Sequence, residues 1–388
     1  MNTKKIILLL VLTFFTGFTL GINFAPIVGS LTINYANSEI NAPQLNSALS
    51  GKNFTLINVH TPYSGEIPST DLFIPFDEMK ANEDNLPKDK NGKIVLYCES
   101  GNMSKEALET LKTMGYTNVV HLKGGMSEWK KSGLKLYDLS NLPDKVMPSE
   151  GFVLPVNWGV LGPRLVSLGV IDKEKFARAV NLTEDQKNIL EKGSTDPVKI
   201  TSENSQFVVD FLWALGLAQK SLAYEEGPMG KEYKKDIGNF SSTAGWTLSQ
   251  GNAVSHLGKH TLINLTDEQQ KKVAEIAKNI YRPCCGNSTW FPDCNHGMAA
   301  LAAIELMVSQ DMPDEAVYKN VLKLNSFWFG SSYLTAATYF ARQGIDWENV
   351  DAKKVLGSEF SSGSGAANIA QKVGDLPYAA KSSGGCGA

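Results

Sequence analysis

The stretch Lys93-Ile-Val-Leu-Tyr-Cys98-Glu-Ser-Gly-Asn-Met-Ser104-Lys-Glu-Ala-Leu-Glu-Thr-Leu111 decides how the front of this chain is read. Ile94, Val95, Leu96 and Tyr97 form a short apolar run with β-branched and aromatic content, which predicts a buried strand. Ala107, Leu108, Leu111 and Met114 then recur at helical steps, which predicts a helix with one buried face. A single cysteine and a glycine lie between the two. The Cys98 thiol is therefore expected to face loop amides and a helix N-terminus. Such a nest of N–H donors stabilises an anion, and a Cys98 thiolate or persulfide would be that anion.

Working outward, three more segments occur in a set order around this one. They are Leu56-Ile-Asn-Val-His-Thr-Pro-Tyr63, Gly65-Glu-Ile-Pro68 and Gly115-Tyr-Thr-Asn-Val-Val-His-Leu-Lys-Gly-Gly-Met-Ser-Glu-Trp129. With the cysteine loop, they make residues 45–136 resemble a rhodanese-type sulfurtransferase domain, and we place that unit at residues 40–137. The resemblance implies an α/β fold, a parallel sheet flanked by helices. It implies Cys98 as the sulfur carrier, with Glu99, Ser100, Gly101, Asn102, Met103 and Ser104 as the persulfide-stabilising loop. The loop length, residues 98–103, is that of the sulfur-carrying branch of the family rather than its phosphatase-like branch.

Two places depart from the family pattern. Met103 stands where many members carry an arginine, and Asn58 and His60 stand where acidic and basic residues are usual. Arginine is the fork that grips an oxyanion bidentately, and Glu99 adds a negative charge instead. Thiosulfate is therefore expected to be a poor donor. A persulfide or polysulfide donor and a thiol acceptor are the expected partners.

The start of the chain bears on compartment. Lys4 and Lys5 precede an uncharged run over residues 6–38 with an apolar core at residues 6–20. Residues 1–38 read as a signal peptide or an N-terminal membrane anchor. Either places the rest of the chain outside the cytoplasm, secreted or membrane-anchored. The 388 residues allow two or three domains, and 43% hydrophobic with 20% charged residues is an ordinary globular balance. A net charge of −3 without a Lys/Arg cluster argues against nucleic-acid binding. Five cysteines, at 98, 284, 285, 294 and 386, are too few and scattered for a disulfide scaffold, and the odd count leaves at least one unpaired.

Residues 138–156, with three prolines and no sustained period, read as a linker. Residues 157–357 read as a second, mainly α-helical domain. Thr183 with Gln186, and Thr266 with Gln269, are capping boxes that predict two helix starts. The nearly unbroken apolar run over residues 207–218 predicts a buried central helix, too short for a membrane span and interrupted by Asp210. An aromatic turn and a packed helix are expected over residues 327–340.

The most unusual segment is Tyr281-Arg-Pro-Cys-Cys-Gly-Asn-Ser-Thr-Trp-Phe-Pro-Asp-Cys-Asn-His-Gly-Met298. It is expected to be an ordered irregular loop, with Asp293 capping the next helix and Cys294 and His296 in its first turn. Three readings stay open for Cys284, Cys285, Cys294 and His296. One is a disulfide from Cys294 to Cys284 or Cys285. Another is a site for copper, zinc or haem iron. The third is a thiol relay that takes sulfane sulfur or electrons from Cys98. His256 and His260 are either a polar surface turn or further ligands for that metal. Residues 358–388, rich in Gly, Ser and Ala, read as a flexible tail in which Cys386 is an incidental thiol or a tethered, mobile one.

The leading reading is an exported rhodanese-like carrier of sulfane sulfur on Cys98. The alternative is a metal- or redox-linked binding protein whose rhodanese-like unit serves for docking, and a structural envelope protein is a third.

Overall fold

The computed structural model describes residues 33–376 and 378. Strands β1 (Glu39–Ile40), β2 (Thr55–Asn58), β3 (Leu72–Phe73), β4 (Ile94–Tyr97) and β5 (Val119–Leu122) form one sheet in the order β1-β5-β4-β2-β3. Every pairing is parallel. Helices α1 (Ala42–Leu49), α2 (Asn102–Thr113) and α3 (Gly125–Lys131) complete this unit. All four residues of β4 are buried, as a central parallel strand covered on both faces requires.

The two-residue period of β4 decides where the cysteine points. Ile94, Leu96 and Cys98 share one face with Ala107, Leu108 and Leu111 of α2. Val95 and Tyr97 pack on the other face with Trp129 of α3. Fully burying each Val, Leu or Ile among them contributes about 1.5–3 kcal/mol. The expected strand–loop–helix around Cys98 is present, with the α/β architecture that the resemblance implied.

After this unit comes helix α4 (Leu142–Val146) and an antiparallel pair, β6 (Phe152–Gly159) with β7 (Ser194–Ile200). The remainder is largely helical. Helix α5 (Ser205–Ala218) is the expected buried helix and packs along α6 (Asn295–Val308), which is buried from His296 onward. Helices α7 (Asp314–Trp328), α8 (Gly330–Arg342) and α9 (Gly363–Val373) close the core around them. Both expected capping boxes form, at Thr183 with Gln186 and at Thr266 with Gln269. Among the described residues no helix is long and apolar enough to cross a membrane.

Two boundary expectations need correction. Residues 138–156 are not a free linker, because Pro143 opens α4 and Leu139, Leu142 and Val146 are buried in the second core. Their spacing of three and four residues is helical, and proline is tolerated in a first turn. Residues 358–373 are not a flexible tail. Ser362 caps α9 by accepting from the Gly365 N–H at 3.0 Å, and Ile369 and Val373 are buried. Gly and Ser content there reflects a cap and close packing rather than freedom. Residues 1–32 and Cys386 lie outside the described residues.

The two units meet through a buried ion pair. Arg342 of α8 reaches Glu66 with Nη2 at 2.8 Å and Nε at 3.1 Å, while Nη1 donates to the carbonyls of Asp71 and Val373 at 2.7 and 2.8 Å.

Candidate functional site

Cys98 directly follows β4, and Gly101, with φ of 97°, turns the loop into α2. That left-handed turn aims its own N–H at the cysteine: the Gly101 N–H donates to Cys98 Sγ at 3.1 Å, and the Ser104 N–H donates at 3.4 Å. Gly125 seats the loop from below. A Cβ there would lie 2.1 Å from the Cys98 carbonyl oxygen, which instead accepts from the Met126 N–H at 2.8 Å. The expected ring of amides is thus two amides rather than the whole loop. Glu99, Ser100, Asn102 and Met103 form the rim, and Met103 packs on the core beneath.

The thiol is only 1% exposed. It donates to the Ser104 hydroxyl at 3.6 Å, and Ser104 Oγ lies 3.2 Å from His121 Nδ1 and 3.1 Å from the Gly101 carbonyl. His121 Nε2 faces Glu39 at 3.7 Å. Burial holds the His121 imidazole below its ordinary range, with Glu39 opposing, so the ring favours its neutral, proton-accepting form. The Ser104–His121 connection was not anticipated. Its signal was the period of β5, which puts His121 on the same face as Val119 and hence beside α2.

Glu99 does not stand as a bare charge at the mouth. Ser127 Oγ donates to it at 2.8 Å and Lys130 Nζ at 3.0 Å. Burial acts to raise this carboxyl, but those two partners outweigh it and hold it below the usual carboxylate range. Asn58 is buried, donating to the Gly65 carbonyl at 3.0 Å and accepting from the His60 N–H at 3.0 Å.

The second cluster lies on the loop before α6. Cys284, Cys285 and Cys294 converge, with Cys284 Sγ 3.4 Å from Cys285 Sγ and 3.7 Å from Cys294 Sγ. All four described cysteines are free thiols, so of the three open readings the disulfide is not formed. Cys294 itself caps α6, accepting from the Gly297 N–H at 3.3 Å, and Asp293 is not the cap. Asp293 instead receives Arg282 Nη2 at 2.9 Å and Asn287 Nδ2 at 2.8 Å. Arg282 is fully buried and places Nε 3.2 Å from Cys294 Sγ. The thiols of Cys284 and Cys285, and then Arg282, hold Cys294 well below the ordinary thiol range against the effect of burial. The same contacts push Cys284 up.

None of the three histidines joins the sulfurs, and of the two readings for His256 and His260 the turn is the one present. His296 lies outside the group of three sulfurs and packs against Phe329 at 4.4 Å and Trp328 at 5.8 Å. Burial pushes its imidazole down to about 4. His256 and His260 lie in a turn, Nδ1 to Nε2 at 3.2 Å, and add no ligand to the cysteines. Aromatic packing won over metal-like spacing at the first, and Gly258, with φ of 64°, breaks the helix that would have aligned the second pair.

A family model described as a rhodanese-like domain matches residues 42–132. A sulfurtransferase from Allochromatium vinosum is 31% identical over 103 residues, covering 26% of this chain and 94% of that protein. An uncharacterised protein from Synechocystis is 33% identical over 94 residues, 24% of this chain and 51% of that one. A probable adenylyltransferase/sulfurtransferase MoeZ from Mycobacterium tuberculosis is 37% identical over 86 residues, 21% of each. This chain therefore spans about half of the Synechocystis protein and about a fifth of MoeZ.

Proposed function

The chain belongs to the rhodanese-like family through residues 42–132, and from that membership we propose that it carries sulfane sulfur as a persulfide on Cys98 and hands it to a thiol acceptor. Relatives named for sulfur transfer support a sulfurtransferase-type function. The finer reading is carried by one observation, the convergence of the Gly101 and Ser104 N–H groups on the Cys98 sulfur.

Cys98 first gives its proton through the Ser104 hydroxyl to His121. The thiolate attacks the outer sulfur of a persulfide or polysulfide. The donor's S–S bond breaks, its inner sulfur leaves as a thiolate, and a Cys98 S–S bond forms. An acceptor thiolate then attacks the outer sulfur and releases Cys98 as a thiolate. One sulfane sulfur moves, with no net oxidation, and covalent catalysis divides the transfer into two displacements. With Met103 packed on the core, the loop lacks the guanidinium fork that thiosulfate would need. The basic start and apolar run of residues 4–20 support the same transfer outside the cytoplasm.

Intact mass of the full chain after exposure to glutathione persulfide tests this reading. The expected result is a gain of one sulfur, mapped to Cys98, removed by reductant and absent in Cys98→Ser. A transfer rate unchanged in Cys98→Ser would end the proposal, and no gain at Cys98 would leave the fold serving for docking.

The proton route makes a separate prediction. His121→Phe is expected to slow sulfur loading at neutral pH by about 100-fold, the lower end for lost general-base catalysis. In the parent protein loading should fall on the acid side as His121 protonates, and that limb should vanish in the variant. Stopped-flow loading rates across pH check both.

A further inference from the structure

We propose that Cys284, Cys285 and Cys294 form a trithiolate site for Cu(I), separate from the sulfur chemistry of Cys98. Among the described residues these are the one group whose metal-ligating atoms converge, with all three sulfurs within 4.8 Å of one another. A metal bound by sulfur at about 2.3 Å sets its sulfurs about 3.8–4.0 Å apart in tetrahedral or trigonal geometry. The observed separations of 3.4 and 3.7 Å need only small adjustment to meet that. They are far from the bond of about 2.05 Å that a disulfide would require.

The surroundings hold the sulfurs in place. Arg282 Nη1 donates to the Asn287 carbonyl at 2.9 Å and Nη2 to the Phe291 carbonyl at 3.2 Å, so one buried guanidinium staples both ends of the loop. The Gly363 N–H donates to the Cys285 carbonyl at 2.8 Å, and the Tyr281 N–H donates to Leu356 at 2.8 Å. A Cβ on Gly297 would strike Arg282 Nη2 at 2.6 Å, so the turn of α6 leaves room for the guanidinium. Arg282 is also the positive charge beside the sulfur that caps α6.

The donor set selects the ion. Soft thiolates favour Cu(I), which is content with three ligands, whereas structural zinc takes four protein ligands. No fourth ligand joins the three among the described residues, since the His296 ring is committed to Phe329 and Trp328. Cys284 is exposed, so the ion has an entry side, while Cys294 is buried at the helix end. Each sulfur binds as thiolate and its proton leaves to solvent.

The test uses the full chain, reduced and kept anaerobic, titrated with Cu(I) against a chromophoric Cu(I) chelator. The expected result is about one Cu(I) retained per chain, with a thiolate-to-copper charge-transfer band. Cys284, Cys285 and Cys294 should then resist iodoacetamide in mass mapping. Cys284→Ser changes an exposed position and should leave the fold intact, yet weaken binding at least as much as the roughly 10–100-fold that an altered outer-shell partner costs. Cys98→Ser should bind as the parent does. Loss of Cu(I) to the chelator at the same point in parent and Cys284→Ser would overturn the proposal. So would copper retained while the three cysteines alkylate freely, or a site that keeps Zn(II) and yields Cu(I).

Discussion

Arg342→Ala is expected to destabilise the folded chain by about 3–5 kcal/mol, the cost of removing one partner from a buried ion pair. Glu66 is 1% exposed and Arg342 8%, so water cannot replace the lost guanidinium. The same deletion strips donors from the carbonyls of Asp71 and Val373, the second of them buried. Because Glu66 belongs to the rhodanese-like unit and Arg342 to α8, the loss should also uncouple the two units. Urea unfolding followed by tryptophan fluorescence should show a lower midpoint, and the single transition should tend towards two. The double variant Glu66→Gln/Arg342→Met should recover part of the loss, because an uncharged replacement of the whole pair leaves no orphaned charge. A single variant as stable as the parent would show that the pair is dispensable.

Glu305→Gln is expected to stabilise the protein above neutral pH. Glu305 lies on the fully buried face of α6, and neither carboxylate oxygen has a hydrogen-bond partner. Burial pushes its carboxyl up to about 8, opposed only by the nearby Ser221 hydroxyl, which does not reach hydrogen-bond geometry with it. The folded-state value is thus above the unfolded one, so the unfolded chain releases this proton first. Folding stability is undiminished below about pH 4.5 and falls as pH rises from there through about 8. By pH 7 the penalty is about 3 kcal/mol, at 1.36 kcal/mol per unit. Glutamine, isosteric with the protonated acid, should flatten that limb, so the variant's advantage grows between pH 5 and 8. Denaturant midpoints across that range check it, and parallel curves for both proteins would refute the assignment.

The strand–loop–helix at Cys98 was legible because each part is local. Four apolar residues make a strand, a glycine turns it, and helical spacing of Ala107, Leu108 and Leu111 follows within one short segment. The two capping boxes and α5 were legible for the same reason, since a cap needs residues only three apart and a buried helix declares itself by composition. The segments at 138–156 and 358–373 were misread because proline, glycine and serine signal both loops and helix starts. Only the burial of Leu142, Val146, Ile369 and Val373 separates these meanings.

What the sequence determined by itself was the strand–loop–helix that carries Cys98, the fold around it and the presence of three cysteines in one segment. What only the tertiary structure decided was who meets whom. Arg342 finds Glu66 across 276 residues, His121 reaches Ser104 from a neighbouring strand, and Arg282 turns inward to Cys294 while His296 is taken up by aromatic rings. The physical reason is one of range. Backbone geometry couples residues a few positions apart, so periodicity records secondary structure, whereas partners of buried charges and thiols are set by packing of whole elements.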